Sequence, residues 1–127
     1  MSHFSTIQTK IVVKEYLIKA LDDLKFQWQE GDLEVRGYQG NRTKAEIRLE
    51  TGNPGYDIGF RKTGENYEVV ADWWGIKNIK QDEFLQNVNQ RYAYNAVKDQ
   101  LDQQDFSLVE EEVREDKTIH LSVRRMT

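Results

Sequence analysis

The chain has no cysteine, one proline, two histidines and no apolar run near the roughly 20 residues that a membrane-spanning helix needs. Each shortage closes a class of protein. Without cysteine there is no disulfide framework, no thiolate zinc site and no cysteine nucleophile, a composition that fits a reducing compartment. The lone Pro54 sits in Thr51-Gly52-Asn53-Pro54-Gly55, a turn flanked by glycines and not an interdomain linker. One domain over residues 1–127 is expected. The amino terminus lacks the apolar core of a signal peptide. No Gly-x-Ser-x-Gly elbow and no Walker or dinucleotide glycine pattern is present, which sets aside that kind of serine hydrolase and a phosphate-cradling loop.

His3 and His120 lack a helical partner three or four residues away. They meet only if the first and last strands pair, and two ordinary strand-face histidines are the plainer account. A retained Met1 would put His3 third from a free amine, a copper-chelating arrangement, but the small Ser2 predicts removal of Met1. Ser122 beside His120 is adjacency and not activation. No metal and no cofactor is expected, and no residue is assigned a catalytic role.

What the chain does have is aromatic. Hydrophobic residues make up only 38% and the mean hydropathy is −0.81. Three Trp, six Tyr and five Phe compensate with large side chains. The net charge of −4 and a pI near 5.2 disfavour non-specific attraction to nucleic acid or anionic lipid. Exposed aromatics on a sheet do serve single-strand RNA binders, yet Glu34, Glu46, Glu50 and Asp57 would set negative charge beside the bases. Nucleic acid is not an expected partner.

Periodicity orders the elements. Phe4 to Val12 is half-buried and β-prone, and predicts a first strand. From Val13 the apolar residues Val13, Leu17, Ala20, Leu21 and Leu24 share one helical face, predicting a helix to about Lys25. Gly31-Asp32 is read as a turn, after which Leu33 and Val35 open a segment ending near Tyr38. Lys44 to Glu50 is the cleanest strand, with Ala45, Ile47 and Leu49 facing core and charged residues between them. Tyr56, Ile58 and Phe60 form another, joined by a hairpin at Thr63-Gly64-Glu65-Asn66 to a strand predicted over Tyr67 to Gly75. A long helix spans about Gln81 to Gln104, its stripe of Leu85, Val88, Tyr92 and Ala96 drifting to Ala93, Val97 and Leu101. That drift predicts different neighbours for its early and late turns. Tyr94 falls on the side expected to be wet. Phe106 and Leu108, a charged turn at Arg114-Glu115-Asp116-Lys117, and Ile119, Leu121 and Val123 complete a final hairpin. The fold class is therefore α+β, a mostly antiparallel sheet with two helices on one face, in the order β-α-β-β-β-β-α-β-β.

Alternation in the Trp strand puts Tyr67, Val69, Ala71 and Trp73 on one face and Glu68, Val70, Asp72 and Trp74 on the other. One indole fills the core while its neighbour faces out, where a helix, a partner or a contact surface must meet it. Asp57 and Asp72 share that second face. If Arg36, Arg61 and Trp74 join them, the result is a polar and aromatic surface for a planar or charged ligand. For most of these residues a solvated face with Asp to Arg pairs is the plainer account.

Several strings read together point to a family. Met1-Ser2-His3-Phe4-Ser5-Thr6-Ile7, Val35-Arg36-Gly37-Tyr38, Tyr56-Asp57-Ile58-Gly59-Phe60, Ala71-Asp72-Trp73-Trp74-Gly75 and Asn89-Gln90-Arg91-Tyr92-Ala93 cover nearly the whole chain in order. The set resembles the hypothetical chloroplast reading frame thirty-five family, small proteins of cyanobacteria and algal plastid genomes. The resemblance implies no activity and no catalytic residue. It does imply a soluble protein of the cyanobacterial cytoplasm or plastid stroma, accessory to photosynthetic cells. The resembled family allows a smaller aliphatic residue before Trp-Gly, which implies that Trp73 is the interchangeable core residue and Trp74 the one with a dedicated job.

The functional expectation is a non-enzymatic binding or assembly factor with a protein partner on Trp74, Asp72, Arg36, Tyr38 and Tyr94. The alternative is a small-molecule site or enzyme on the face of Asp57, Asp72 and Arg61. A concave pocket there would favour the second reading and a flat face would count against it. Self-association is a further way to cover an open sheet face.

Overall fold

Alternating side chains over Arg42–Glu50 set up a sheet whose two faces have different fates. The structure, a computed structural model, describes residues 3–104, 106–114 and 118–125. Its elements are β1 (Ser5–Gln8), α1 (Lys14–Asp23), β2 (Trp28–Arg36), β3 (Arg42–Glu50), β4 (Asp57–Thr63), β5 (Asn66–Ala71), α2 (Gln81–Gln103), β6 (Phe106–Val113) and β7 (Ile119–Arg125). This is the α+β order that the periodicity predicts. Strands β2 to β5 form a meander and β1 adds to its far edge, giving the order β1-β5-β4-β3-β2 with antiparallel neighbours. The last hairpin forms a separate two-stranded sheet, β6-β7. Of its predicted turn at Arg114-Glu115-Asp116-Lys117, residues 115–117 lie outside the described residues, as do Met1 and Ser2 of the copper arrangement. Because β1 pairs with β5 and β7 with β6, the first and last strands do not bring His3 and His120 together.

On one face the helices close the core. Leu17 and Leu21 of α1 and Phe84 and Val88 of α2 pack on Ile47, Leu49, Ile58, Phe60, Tyr67, Val69 and Ala71, all of them buried. Phe84 is the hub, its ring 5.4 Å from that of Phe26, 6.1 Å from Phe60 and 5.8 Å from Trp73. The predicted α2 stripe omits it. The helices are tied at the start of α1, where Val13 provides no side-chain cap. Tyr92 of α2 supplies one instead, its hydroxyl accepting the N–H of Val12 at 3.1 Å and of Val13 at 3.0 Å.

The second face is closed by the chain's own hairpin. Strand β3 pairs with β4 only from Ile47 to Glu50, while its pairing with β2 continues to Arg36↔Arg42. Beyond Ile47 the β2-β3 hairpin therefore leaves β4 and folds across the sheet, and β2 reaches both β4 and β5. A bulge between Glu30 and Leu33, with Gly31 at φ 147°, is where the expected Gly31-Asp32 turn lies, inside β2. Val35 and Ala45 come down on Val70, beside Phe4, as a second small core. Gly59 makes room for them, since a Cβ there would stand 2.3 Å from Val35 Cγ2 and 2.9 Å from Ala45 Cβ. The solvated face expected from the sequence is thus a covered one around Asp57, Glu68, Val70 and Asp72.

Candidate partner-binding site

The Trp strand ends sooner than alternation predicts. Strand β5 stops at Ala71, and Trp73–Gly75 is a 3₁₀ turn. The two indoles still diverge. Trp73 packs against the helix-side core, with its Nε1 buried and no acceptor among the described residues. Trp74 is 58% exposed.

Three loops meet around Trp74. From the β2-β3 turn comes Tyr38, its ring edge-on at 5.4 Å. From the loop after β3 comes Tyr56, tilted at 6.4 Å. Its ring lies over Gly75, where a Cβ would stand 2.0 Å from Tyr56 Cε1, so only glycine admits that contact. From the loop before α2 comes Lys77, whose Nζ lies 4.8 Å from the indole centroid and donates to the Trp74 carbonyl at 2.7 Å. The second and third loops are stitched by Asn53 Nδ2 donating to Asn78 Oδ1 at 2.6 Å and Asn78 Nδ2 donating to the Thr51 carbonyl at 2.9 Å.

The carboxylates below this surface hold the hairpin in place. Asp57 and Asp72 are each 2% exposed. Asp57 Oδ2 accepts the Arg36 backbone N–H at 3.0 Å and Nε at 2.9 Å, and its Oδ1 accepts Nη2 at 3.0 Å. This doubly bonded fork raises the Arg36 pKa above its already high ordinary value. Asp72 Oδ2 accepts the Tyr38 N–H at 3.0 Å, while Gly37 passes so close that a Cβ would stand 2.9 Å from the Phe4 ring and 3.2 Å from Asp72 Cβ. Both carboxylates thus fasten the hairpin end that carries Tyr38.

The seven residues singled out from the sequence fall into three places. Trp74, Tyr38, Arg36, Asp72 and Asp57 gather at one end of the second face. Arg61 stands apart, its Nε 2.5 Å from Glu68 Oε1 and its Nη1 2.9 Å from Thr43 Oγ1. That Arg61 hydrogen bond, with Gln8 Nε2 at 2.6 Å from Oε2, holds the buried Glu68 carboxyl below its ordinary range despite desolvation. Tyr94 lies elsewhere again. It is half-buried, with Glu111 of β6 at its hydroxyl at 3.1 Å and Arg91 stacked 4.1 Å from its ring. The late turns of α2 do pack differently from the early ones, facing Ile119 and Leu121 of β7 across a groove of about 540 Å³. Two members of the Trp74 cluster escaped the sequence reading, Tyr56 and Lys77. Gly75 after Trp74 was the signal for a close ring, and Lys77 three residues on was the signal for a cation.

Among the described residues no group of three or more His, Asp or Glu side chains is placed to hold a metal ion. None of their helices is long and apolar enough to cross a membrane. Fold and site together define a small α+β protein with an exposed aromatic surface set on a carboxylate-fastened hairpin. The chain belongs to the family described as protein of unknown function (DUF1257), whose model matches residues 20–122. It is 35% identical over 127 residues to the uncharacterized protein ycf35 of Cyanophora paradoxa, with 98% of each chain covered. The protein of that name from Guillardia theta is 37% identical and that from Pyropia yezoensis 31%, each over 131 residues and 98% of both chains. These are the relatives to which the Arg-Gly-Tyr and Trp-Gly strings point. No solved structure matches the chain.

Proposed function

We propose that this protein is a non-enzymatic binding or assembly factor that docks a protein partner on the Trp74 surface, in the cyanobacterial cytoplasm or the plastid stroma. The observation that carries the reading is an indole 58% exposed yet held on three sides by Tyr38, Tyr56 and Lys77. A large aromatic kept rigid in water loses little further freedom on binding and buries much apolar area, which is the profile of an interaction hot spot. The competing small-molecule reading draws no comparable support, since Asp57 and Asp72 accept hydrogen bonds from the protein's own hairpin.

The test is a pull-down with the tagged parent and Trp74→Ala, each first checked for an unchanged unfolding midpoint. The variant is expected to lose a partner that the parent retains. Retention of every partner by the folded variant overturns the proposal.

A further inference from the structure

The three rings that meet at Trp74 carry polar tips that the fold leaves unused. Among the described residues, Trp74 Nε1 and the hydroxyls of Tyr38 and Tyr56 have no hydrogen-bond partner. The indole N–H can only donate, and each hydroxyl has a proton to give. The carbonyls of the same three residues are engaged. That of Tyr38 accepts the Asn41 N–H at 3.1 Å, that of Tyr56 the Thr51 hydroxyl at 2.7 Å, and that of Trp74 the Lys77 ammonium at 2.7 Å. Asn53 Oδ1 is taken by the Lys77 N–H at 3.3 Å and Asp72 Oδ2 by the Tyr38 N–H. The surface therefore has donors to offer and its acceptors are spoken for. Its charge is balanced, with Arg36, Lys77 and Lys80 set against Glu50, Asp57 and Asp72, and Glu50 acting on Arg36. Neither sign of ligand is selected. The rings also do not stack flat, since Tyr38 meets the indole at 81° and Tyr56 at 54°, which leaves angular recesses between them.

Resting on the partner-binding reading above, we infer that the Trp74 surface takes a proline-rich segment of a partner protein in the polyproline II conformation. An ordinary extended peptide brings an N–H with every residue, and each one needs an acceptor. Proline brings a carbonyl and no N–H, so it asks only for the donors that this surface holds. In polyproline II the carbonyls make no internal hydrogen bonds and are free for the indole N–H and the two hydroxyls, while the pyrrolidine rings lodge between the aromatic rings. The match is neutral on both sides. A single-stranded nucleic acid also stacks on aromatic rings, but it needs a track of cations that balanced charge does not provide. The chain has one proline, so a second copy does not supply the segment. Both partners are ordered beforehand, the ligand by its fixed ring torsions and Tyr38 by the hairpin that Asp57 and Asp72 fasten.

The experiment measures fluorescence anisotropy of labelled decaproline titrated with the full chain, beside a glycine-serine repeat of the same length and a thymidine oligonucleotide. The chain is expected to bind decaproline, to prefer it to the other two, and to hold it equally well at low and high salt. Trp74→Ala is expected to weaken that binding about tenfold or more, the scale of one hot-spot contact. The double variant Tyr38→Phe with Tyr56→Phe keeps both rings and removes both hydroxyls, and is expected to weaken it about fivefold, the scale of a neutral hydrogen bond. Tyr16→Phe, the same change on α1, is expected to leave it unchanged. Equal affinity for the glycine-serine repeat, a preference for the oligonucleotide, or parental binding by the double variant overturns the inference. The pull-down separates the two levels. Partners lost with Trp74→Ala but not displaced from the parent by excess decaproline sink the proline inference alone, whereas partners kept with Trp74→Ala sink the partner-binding reading itself.

Discussion

The two faces of β5 are closed in opposite ways. Under Tyr67, Val69 and Ala71 the helices supply aliphatic and aromatic side chains, and the contact is non-directional. Over Glu68, Val70 and Asp72 the cover is a hairpin, held by a small apolar island and by buried carboxylates that accept specific N–H groups. The first arrangement supplies stability. The second adds position: Asp57 and Asp72 fix the hairpin end, the hairpin end fixes Tyr38, and Tyr38 walls one side of Trp74. A sheet face closed by directional bonds can thus orient a surface that an oily contact would leave free to slide.

Substitutions on the two faces are expected to separate these roles. The largest effect belongs to the helix side, where Phe84→Ala removes the ring shared by Phe26, Phe60 and Trp73. Urea unfolding is expected to show a loss of about 3–5 kcal/mol, the range for truncating a core aromatic. On the hairpin side Gly59→Ala drives a methyl into Val35 and Ala45, with an expected loss of about 1–3 kcal/mol. It should also alter Trp74 emission as the hairpin lifts. If Gly59→Ala leaves both stability and emission unchanged, the hairpin is not seated on the sheet as described. Asp57→Asn keeps shape but removes the charge that grips Arg36. Half of that pair faces water, so a loss of about 1.5–2 kcal/mol is expected, at the low end for hydrogen bonds to charged groups.

The smallest effect is a pH dependence. Glu68 has a folded-state pKa below its ordinary value, so the folded protein takes up this proton less readily than the unfolded chain. Its stabilising contribution is full above the ordinary glutamate range and is lost as the pH falls through the depressed folded value. From about pH 5 downward the parent should lose more stability than Glu68→Gln. Parallel pH curves for the two proteins would show that the Arg61 bond contributes nothing at this site.

Most of the architecture was legible in the sequence because alternation and the 3.6-residue stripe are local signals. The charged residues between Ala45, Ile47 and Leu49 marked β3, and Gly64 marked the β4-β5 hairpin. The bent hairpin was not legible, because a bulge at Gly31 and a break in pairing beyond Ile47 leave no period to read. That one omission made Asp57, Glu68 and Asp72 look solvated. Phe84 was missed because α2 carries apolar residues on several sides, and a single stripe through Leu85 and Val88 passed it by. The opposed directions of Trp73 and Trp74 were anticipated, although a 3₁₀ turn and not a strand produces them. Arg61 and Tyr94 were grouped with Trp74 by composition, and three-dimensional separation divides them from it.

The most direct test of the account is the difference in unfolding free energy between Trp73→Ala and Trp74→Ala, measured by urea titration under one condition. Trp73→Ala is expected to lose about 3–5 kcal/mol as a truncated core aromatic, and Trp74→Ala to stay within about 0.5 kcal/mol of the parent as a surface residue. Equal losses for the two variants would mean that Trp74 is part of the protein's own packing and not a surface held ready for something else.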